Sequence, residues 1–442
     1  MLRRLDLRGA GLDLRGRLPR PPQSAAGPVA AVREILADVR HRGDDALRDL
    51  SERFDGVRPG ALRVPAKAAT AALHRIDPDL RSALQAAAAG IEDFHRHQVA
   101  PDTTYERDGI VVEGRHVPVD RAGCYVPGGR AIYPSTVLMT AIPARVAGVE
   151  EVALCVPPDR AGEVPAPTLA AAAIAGVDEV YAIGGAQAIG AMAYGTQSVA
   201  PVDVIVGPGN VYVAIAKREV AGVVGVPSSF PGPSEVVVVA DDATPPELAA
   251  VDVILQAEHG PGGLAWLVTW SEAAAEAISE EIDRQVAAAP RQADIESTFA
   301  EGGYVVVCDS PEQAMAVSNL IAPEHLELLN EDPRALVPLV RHAGAVFCGP
   351  WSPASVGDYL AGPSHVLPTD GSARFGSALT VSDFQKEVHV VTLDQAALAA
   401  AAPVVTAIAT AEGLSAHADS VARRLDAIAS AVPSTQPLAS GS

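Results

Sequence analysis

The chain lacks the features that mark several large classes of protein. It is 442 residues long, with 33 basic against 54 acidic residues and hence a net charge of −21 with neutral histidines. So acidic a protein repels phosphate backbones, and nucleic acid is not an expected partner. Its four cysteines are Cys124, Cys155, Cys308 and Cys348. None belongs to a Cys-x-x-Cys pair, so we expect small buried hydrophobes rather than thiolate zinc or redox sites.

Aromatic residues and long apolar runs are also scarce. Only 18 residues are aromatic (3 Trp, 8 Tyr and 7 Phe), so the core must consist mainly of Ala, Val, Leu and Ile. The uncharged stretches 180–202 and 395–411 are interrupted by Gly and Gln or by Pro and Thr, which makes both too weakly apolar to span a bilayer. The first 20 residues have no apolar core of a secretory signal. We expect a globular, cytoplasmic protein without a membrane partner.

The spacing of apolar residues predicts an α/β fold. Residues 29–54 and 80–94 carry apolar side chains at helical spacing. From about residue 110, short β-branched runs bounded by Gly and Pro alternate with Ala-rich, helix-like segments. The runs are 152–156, 179–183, 202–206, 235–240, 264–270, 304–308 and 343–348. This alternation is typical of βαβ units and indicates mainly parallel sheets covered by helices.

A Pro-, Gly- and Ser-rich segment, residues 227–234, separates two strand and helix series of similar length. It predicts a joint between two α/β domains. We expect four parts in all. They are an N-terminal helical segment (1–109), a first α/β domain (110–231), a second α/β domain (232–382) and a C-terminal helical tail (383–442).

Standard catalytic and nucleotide motifs are missing. The nearest approach to Gly-x-Gly-x-x-Gly is residues 207–210 (GPGN), which lack the third glycine. There is no P-loop, no His-Glu-x-x-His and no Gly-x-Ser-x-Gly in the sequence. Polar residues are concentrated instead in four clusters, three of them in Gly/Pro turns and one in the helical tail.

The first cluster lies at the end of a predicted helix. Residues 244–247 (TPPE) form a capping box with proline at the first helical position, which predicts a helix over about 245–259. Gln256 and His259 would then share one face of the last turn. An amide oxygen and a neutral imidazole both suit a divalent cation. Alternatively, His259 simply caps the helix carbonyls.

The second cluster is the adjacent pair Glu324 and His325, which follows Pro323 and precedes a strand-like run. Neighbouring strand residues face opposite ways, so both could reach one site only at a loop or strand end, which Pro323 favours. Histidine is the natural general base near neutral pH. The alternative is a surface pair without a function.

The last two clusters are Asp358 with His365, and Glu412 with His417 in the tail. Asp358 could be an anionic ligand and His365 could bind a substrate anion, while a helix cap or turn is the alternative for Asp358. The tail pair could equally lie on a solvated helix surface. Together the clusters offer nitrogen and oxygen ligands without a thiolate, which suits zinc or manganese in a working site.

Four further segments accompany these clusters. They are residues 123–130 (GCYVPGGR), 184–187 (GGAQ), 207–210 (GPGN) and 232–235 (GPSE). In these eight segments and their order, the chain resembles the histidinol dehydrogenase family over nearly its whole length. The resemblance implies a zinc-dependent homodimer of two Rossmann-like domains. Such enzymes oxidise L-histidinol through L-histidinal to L-histidine, the last step of histidine biosynthesis, and reduce two NAD per turnover.

The resemblance also implies roles for individual residues. One zinc per subunit would be bound by Gln256, His259, Asp358 and His417, the last reaching into the partner subunit's site. His325 would take the alcohol proton, and Glu324 would activate water for the second oxidation. The substrate pocket would consist of Ser234, Gln256, His259, His325, Asp358, His365, Glu412 and His417. The NAD positions would be Tyr125, Gln187 and Asn210.

The sequence departs from the family pattern in two places on the expected substrate side. Residues 226–231 (VPSSFP) stand where an Ile-Asp-Met-Pro-Ala-like run is common, and Ser364 replaces the usual Asn. One alternative is therefore a related zinc and NAD enzyme acting on another small alcohol or diol, such as a sulfonated propanediol. A metal-dependent hydrolase using Glu324 and a zinc-bound water is a second alternative. A non-catalytic binding module is a third.

Overall fold

The structure is a computed structural model that describes residues 1–19, 28–129, 131–227, 234–258 and 262–431. No helix in these ranges is both long and apolar enough to cross a membrane. The predicted joint at 227–234 lies mostly outside the described residues, as does His259.

Strands recur along the chain between helices. They are β1 (Arg3–Asp6), β2 (Thr103–Arg107), β3 (Ile110–Pro118), β4 (Arg121–Tyr125), β5 (Glu151–Val156), β6 (Glu179–Ala182), β7 (Val204–Val206), β8 (Glu235–Ala240), β9 (Leu264–Thr269), β10 (Gly303–Val307), β11 (His325–Leu328), β12 (Ala345–Cys348) and β13 (Gln385–Leu393).

The helices fall between these strands and at the end of the described chain. They are α1 (Val29–Arg42), α2 (Asp44–Asp55), α3 (Ala66–Arg75), α4 (Pro78–Arg96), α5 (Pro134–Val146), α6 (Ala166–Ile174), α7 (Gly185–Tyr194), α8 (Val211–Val220), α9 (Pro246–Ala257), α10 (Glu272–Ala288), α11 (Gln292–Gly302), α12 (Pro311–Ile321), α13 (Pro333–Leu336), α14 (Ala354–Tyr359), α15 (Gln395–Ala411) and α16 (Ser415–Ala431).

Two parallel sheets form the larger of two compact units, residues 1–99 and 118–384. The first sheet has the strand order β6-β5-β4-β7, and the second has the order β1-β10-β9-β8-β11-β12. Every pairing in them is parallel. Parallel sheets are covered on both faces by crossover helices, so their central strands are mostly apolar. All six residues of β8 are buried accordingly.

Alternate strand residues feed separate cores on the two faces of each sheet. In β5, Leu154 packs into a core with α4, α5 and α6, whereas Cys155 packs into one with α1, α7 and α8. In β8, Val238 joins a core with α9 and α10, and Val239 joins one with α12. The small side chains of these cores follow from the shortage of aromatic residues. The four cysteines are free, and all but Cys348 are fully buried, as predicted.

The second compact unit combines residues 100–117 with residues 385–442. Strands β2 and β3 form an antiparallel hairpin, and the sheet order β13-β3-β2 joins it to the C-terminal part of the chain. Helices α15 and α16 complete the described part of this unit and pack against each other. The division of the chain into four parts at residues 109, 231 and 382 remains a prediction.

The α/β class with mainly parallel sheets is confirmed, and the predicted strands fall within about two residues of β5 to β10 and β12. The prediction of a capping box at residues 244–247 is wrong. Pro245 is the N-cap residue of α9 and makes no side-chain cap. The Thr244 hydroxyl instead donates to the carbonyl of Leu329 at 3.0 Å, because this tertiary acceptor lies beside it.

Asp55, the last residue of α2, is expected to destabilise the protein when ionised. Its Oδ2 is buried with no hydrogen-bond partner among the described residues, and burial raises the pKa of this carboxyl to about 6. The pKa of Asp55 is higher in the folded state than in the unfolded state. The stabilising contribution of its protonated form is therefore fully present below about pH 3.9 and is lost as the pH rises through about 6. Asp55→Asn should therefore stabilise the protein at pH 8 by about 1 kcal/mol, a value reduced for partial exposure.

Thermal melting at pH 5 and pH 8 tests this expectation. Asp55→Asn should raise the melting temperature at pH 8 and raise it less at pH 5. The exposed Asp426→Asn is the control and should change neither value appreciably. An equal shift at both pH values would show that the ionisation of Asp55 is not the cause.

Candidate active site

A cluster of acidic and basic side chains lies at the amino ends of β8 and β11. His325 is the first residue of β11, Glu324 directly precedes it, and Glu235 is the first residue of β8. The two strands pair in parallel with His325 opposite Val236, which brings these residues to the same sheet edge. All three are buried, with exposed fractions of 9% for Glu324, 3% for His325 and 2% for Glu235. The prediction that Glu324 and His325 lie at a strand end is confirmed.

His325 lies at the centre of this cluster. Its Nδ1 is 3.1 Å from Nε2 of Gln256, in the last turn of α9, and 3.3 Å from the carbonyl oxygen of Glu235. Its Nε2 lies 3.5 Å from Oδ1 of Asp358 on α14. Burial lowers the pKa of His325, but Asp358 and Glu324 outweigh that effect, so the pKa is raised overall. A histidine between carboxylates can take up a proton and stabilise the resulting imidazolium.

Glu324 is a buried carboxyl suited to accept a proton near neutral pH. Burial raises its pKa to about 7, and the nearby His325 partly opposes the shift. Its Oε2 accepts a hydrogen bond from the backbone N–H of Glu235 at 3.1 Å and lies 3.7 Å from Nδ1 of His325. Two bases with perturbed pKa values in contact with each other are typical of a proton-transfer site.

His365 connects this cluster to the first sheet. Its Nδ1 lies 2.9 Å from the backbone oxygen of Asp358, and its Nε2 lies 3.1 Å from Oγ1 of Thr136. Thr136 is in the first turn of α5, which follows β4 of the first sheet. Ser364 supports the connection, since its hydroxyl donates to the carbonyl of Met139 at 3.0 Å. His365 therefore links the first turn of α5, after β4 of the first sheet, to α14, whose Asp358 lies beside His325.

The predicted NAD positions lie together at the carboxyl edge of the first sheet. Tyr125 ends β4, Gln187 is in the first turn of α7 after β6, and Asn210 caps α8 after β7. The Tyr125 hydroxyl accepts the backbone N–H of Gly185 at 3.0 Å. Neither amide atom of the buried Gln187 has a hydrogen-bond partner among the described residues. An unsatisfied buried amide at this edge fits a nucleotide that would complete its hydrogen bonds.

Asp252 and Glu327 form a second carboxyl pair that the sequence analysis did not identify. Both side chains are buried and in contact, one helical turn from Gln256 and two strand residues from His325. Burial and the adjacent Asp252 raise the pKa of Glu327 well above its ordinary value. A proton shared between the two carboxyls would hydrogen-bond one oxygen of Glu327. The sequence did contain a signal for this pair. Asp252 lies four residues before Gln256 and Glu327 two residues after His325, each at a position where the surrounding pattern is apolar.

Ser234, His259, Glu412 and His417 are the remaining predicted site residues. Ser234 precedes β8, and its carbonyl accepts the N–H of Leu264 at 3.0 Å. His259 lies outside the described residues. Glu412 and His417 are exposed residues of the second unit, between α15 and the first turn of α16. The described ranges contain no group of three or more His, Cys, Asp or Glu side chains arranged to hold a metal. Of the four predicted zinc ligands, Gln256 and Asp358 each lie beside His325, at opposite nitrogens of its ring.

The second sheet carries two buried bases, Glu324 and His325, at its amino edge. The first sheet carries the unsatisfied amide of Gln187 near its carboxyl edge, and His365 connects the two parts. The fold and site define an α/β enzyme of the dehydrogenase class. The sequence model of the histidinol dehydrogenase family matches residues 18–425. The chain therefore belongs to the histidinol dehydrogenase family.

Individual relatives agree with this family assignment. The histidinol dehydrogenase of Parasynechococcus marenigrum is 50% identical over 392 residues, which cover 88% of this chain and 90% of the relative. That of Gluconobacter oxydans is 47% identical over 431 residues, covering 96% of this chain and 100% of the relative. The crystal structure of histidinol dehydrogenase from Elizabethkingia anophelis superposes with a TM-score of 0.91 at 34% identity. It covers 97% of this chain and 99% of its own.

Proposed function

We propose that this enzyme oxidises L-histidinol through L-histidinal to L-histidine, the last step of histidine biosynthesis, with reduction of two NAD. The observation that carries the proposal is the buried contact of His325 with Glu324, Gln256 and Asp358 in a chain of this family. Family membership favours histidinol over the other small alcohols and over hydrolysis. We also propose a cytoplasmic location, which the four free cysteines support.

His325 is the proposed base of the first oxidation. Its neutral imidazole takes the proton of the substrate hydroxyl as hydride leaves the carbinol carbon. Asp358, 3.5 Å from Nε2, stabilises the imidazolium that results. Bound NAD supplies the hydride acceptor for both oxidations.

Glu324 is the proposed base of the second oxidation. The aldehyde must add one water before a second hydride can leave, and the Glu324 carboxylate removes a proton from that water. Its pKa of about 7 leaves a large ionised fraction near neutral pH. His325, 3.7 Å from Oε2, then assists removal of the hydroxyl proton from the hydrated aldehyde. Overall, one water is added and two hydrides leave.

Gln256, His259, Asp358 and His417 are the proposed ligands of one zinc per subunit. Their amide, imidazole and carboxylate donors suit zinc in a working site, and Gln256 and Asp358 already lie on either side of one buried histidine. When bound, the metal supplies a positive charge that orients the imidazole and amine of the substrate. Ser234, His365 and Glu412 complete the proposed substrate pocket, with His365 near the carboxyl end of the substrate.

Tyr125, Gln187 and Asn210 are the proposed NAD contacts. The unsatisfied Gln187 amide supports a ligand at this edge, as does the position of all three residues at the carboxyl ends of parallel strands. Asn210 itself is partly committed, because its Oδ1 accepts the backbone N–H groups of Tyr212 and Val213. Its amide nitrogen stays available to the cofactor.

We further propose a homodimer in which His417 of the partner subunit completes each site. Helix α15 of the second unit supports an interface, because Val404 and Ile408, one turn apart, are 61% and 56% exposed. Exposed apolar side chains on one helix face are typical of protein contacts. His417 follows on α16 of the same unit.

The purified enzyme is expected to form about two NADH per histidinol consumed. Removing metal with a chelator should lower the rate by at least about tenfold, and zinc should restore it, because the substrate then loses its orienting cation. A spectrophotometric endpoint assay with limiting histidinol measures the yield of NADH per histidinol. The reaction rate of a metal-free sample, verified by elemental analysis, is measured before and after zinc is added.

Two results would contradict this proposal. Formation of one NADH with release of free aldehyde would exclude the two-step reaction at one site. Full activity of the verified metal-free enzyme would exclude the role of zinc.

A further inference from the structure

Lys217 is a buried cation beneath the proposed nucleotide site. It lies in α8 with 5% of its surface exposed, and its Nζ donates to the carbonyl oxygen of Gly207 at 2.9 Å. Among the described residues, no carboxylate lies within ion-pair distance of this ammonium. Burial lowers the pKa of Lys217 to about 8. Lysine is almost never fully buried unless it is paired with an acid, so this position needs an explanation.

The segment that Lys217 contacts connects β7 to α8. Gly207 has a φ of +106°, and a Cβ there would lie 2.0 Å from the carbonyl oxygen of Tyr125. Only glycine fits so close to the end of β4. At the other end of the segment, Asn210 caps α8. The carbonyl that Lys217 holds is therefore in a segment with Tyr125 packed against one end and Asn210 at the other.

Stability does not account for Lys217. Burying an unpaired ammonium is costly, whereas methionine fills a similar volume without a charge. One hydrogen bond to a carbonyl does not offset that cost. The charge has a clear use at a dinucleotide site, because the diphosphate is negatively charged and a cation in a protein interior is poorly screened.

We propose that Lys217 is a positioning residue for a diphosphate-bridged dinucleotide, holding the Gly207 carbonyl so that Tyr125 and Asn210 keep their cofactor-facing positions. This inference rests on the proposed use of NAD. It adds to the nucleotide site the side chain of Lys217, which lies behind residues 207–210 and supports the residues that would contact the cofactor.

Lys217→Met, compared with Arg218→Met in the full-length enzyme, tests the proposal. Arg218 is the exposed neighbour on the same helix, so its substitution removes one positive charge without touching Gly207. The measurements are the Kd for NAD by calorimetry, the KM for NAD and histidinol, kcat, and the melting temperature. For Lys217→Met we expect the Kd and KM for NAD to rise about tenfold, because the Gly207 carbonyl is no longer held in place and a positive charge near the diphosphate is removed. The KM for histidinol and kcat at saturating NAD should stay near the wild-type values, and the melting temperature should not fall.

An unchanged Kd for NAD in Lys217→Met would overturn the proposal. A lower melting temperature, with NAD and histidinol binding weakened equally, would also overturn it by assigning Lys217 a purely structural role. If Lys217→Met does not fold, Lys217→Gln replaces it with the same expectations and the same contrary results. The proposed function is tested separately by wild-type NADH formation from histidinol, since its failure would leave the comparison of NAD affinities intact.

Discussion

Replacing His325 with alanine is expected to lower kcat by about a thousandfold while the folded structure is retained, since a general base contributes roughly 10² to 10⁴. Gln256 and the Glu235 carbonyl contact the imidazole at Nδ1, and Asp358 faces its Nε2, so the ring is held in place beside the proposed substrate position. NAD binding should be unchanged, because Tyr125, Gln187 and Asn210 lie at the edge of the other sheet. Steady-state NADH formation and calorimetric NAD titration measure the two quantities.

Glu324→Gln is the informative companion variant. Its amide cannot accept a proton from water, so the second oxidation should be blocked more than the first. A rapid-mixing experiment should then show about one NADH per site before a slow phase. His74→Ala, on the exposed surface of α3, is the matched control and should retain wild-type rates. If His325→Ala retains wild-type turnover, our assignment of the base is wrong.

Combining two inactive subunits in one dimer is expected to restore about half of the wild-type activity per dimer. His325→Ala and His417→Ala should each be nearly inactive as homodimers, because every site lacks one necessary residue. In the heterodimer, one site receives both substituted residues. The other site receives both native residues, provided that His417 belongs to the partner subunit's site. Co-expression with two affinity tags isolates the heterodimer for the NADH assay.

A heterodimer of His325→Ala with Glu324→Gln is the control. Both substitutions lie in the same short segment, so each site stays defective however the dimer is arranged. Absence of activity in the His325→Ala and His417→Ala heterodimer would show that each chain builds its own site. A monomeric wild-type protein by light scattering would contradict the dimer altogether.

Most of the fold could be predicted from local patterns. Valine-rich runs such as residues 235–240 and 304–308 match β8 and β10 to within one residue, because a strand buried on both faces has a continuous apolar sequence. Strand β4 was not predicted, since residues 121–125 include Gly123 and Arg121. Strand β1, at residues 3–6 (RRLD), was also missed, because it depends on parallel pairing with β10, about 300 residues away.

The site was only partly visible in the sequence. Glu324 and His325 could be selected because an adjacent acid and base follow a proline, and Gln256 because a helix was predicted to end beside it. Glu235, Asp252 and Glu327 were not selected, because each reads as one polar residue in an apolar element. Only burial among other carboxyls gives Glu235 a pKa of about 8. The tail residues Glu412 and His417 were recognised as a polar cluster, but only the resemblance gave them a role.

By itself, the sequence determined the α/β class, the positions of most strands along the chain and the residue types available for proton transfer and metal binding, since these depend on periodicity and composition. Only the tertiary structure decided that His325 lies between Gln256 and Asp358, and that His365 connects the edges of two sheets. It also revealed that Lys217 is buried with no acidic partner among the described residues. Such contacts join residues tens to hundreds of positions apart. Local patterns cannot specify them, because parallel strands and crossover helices set the distances in space.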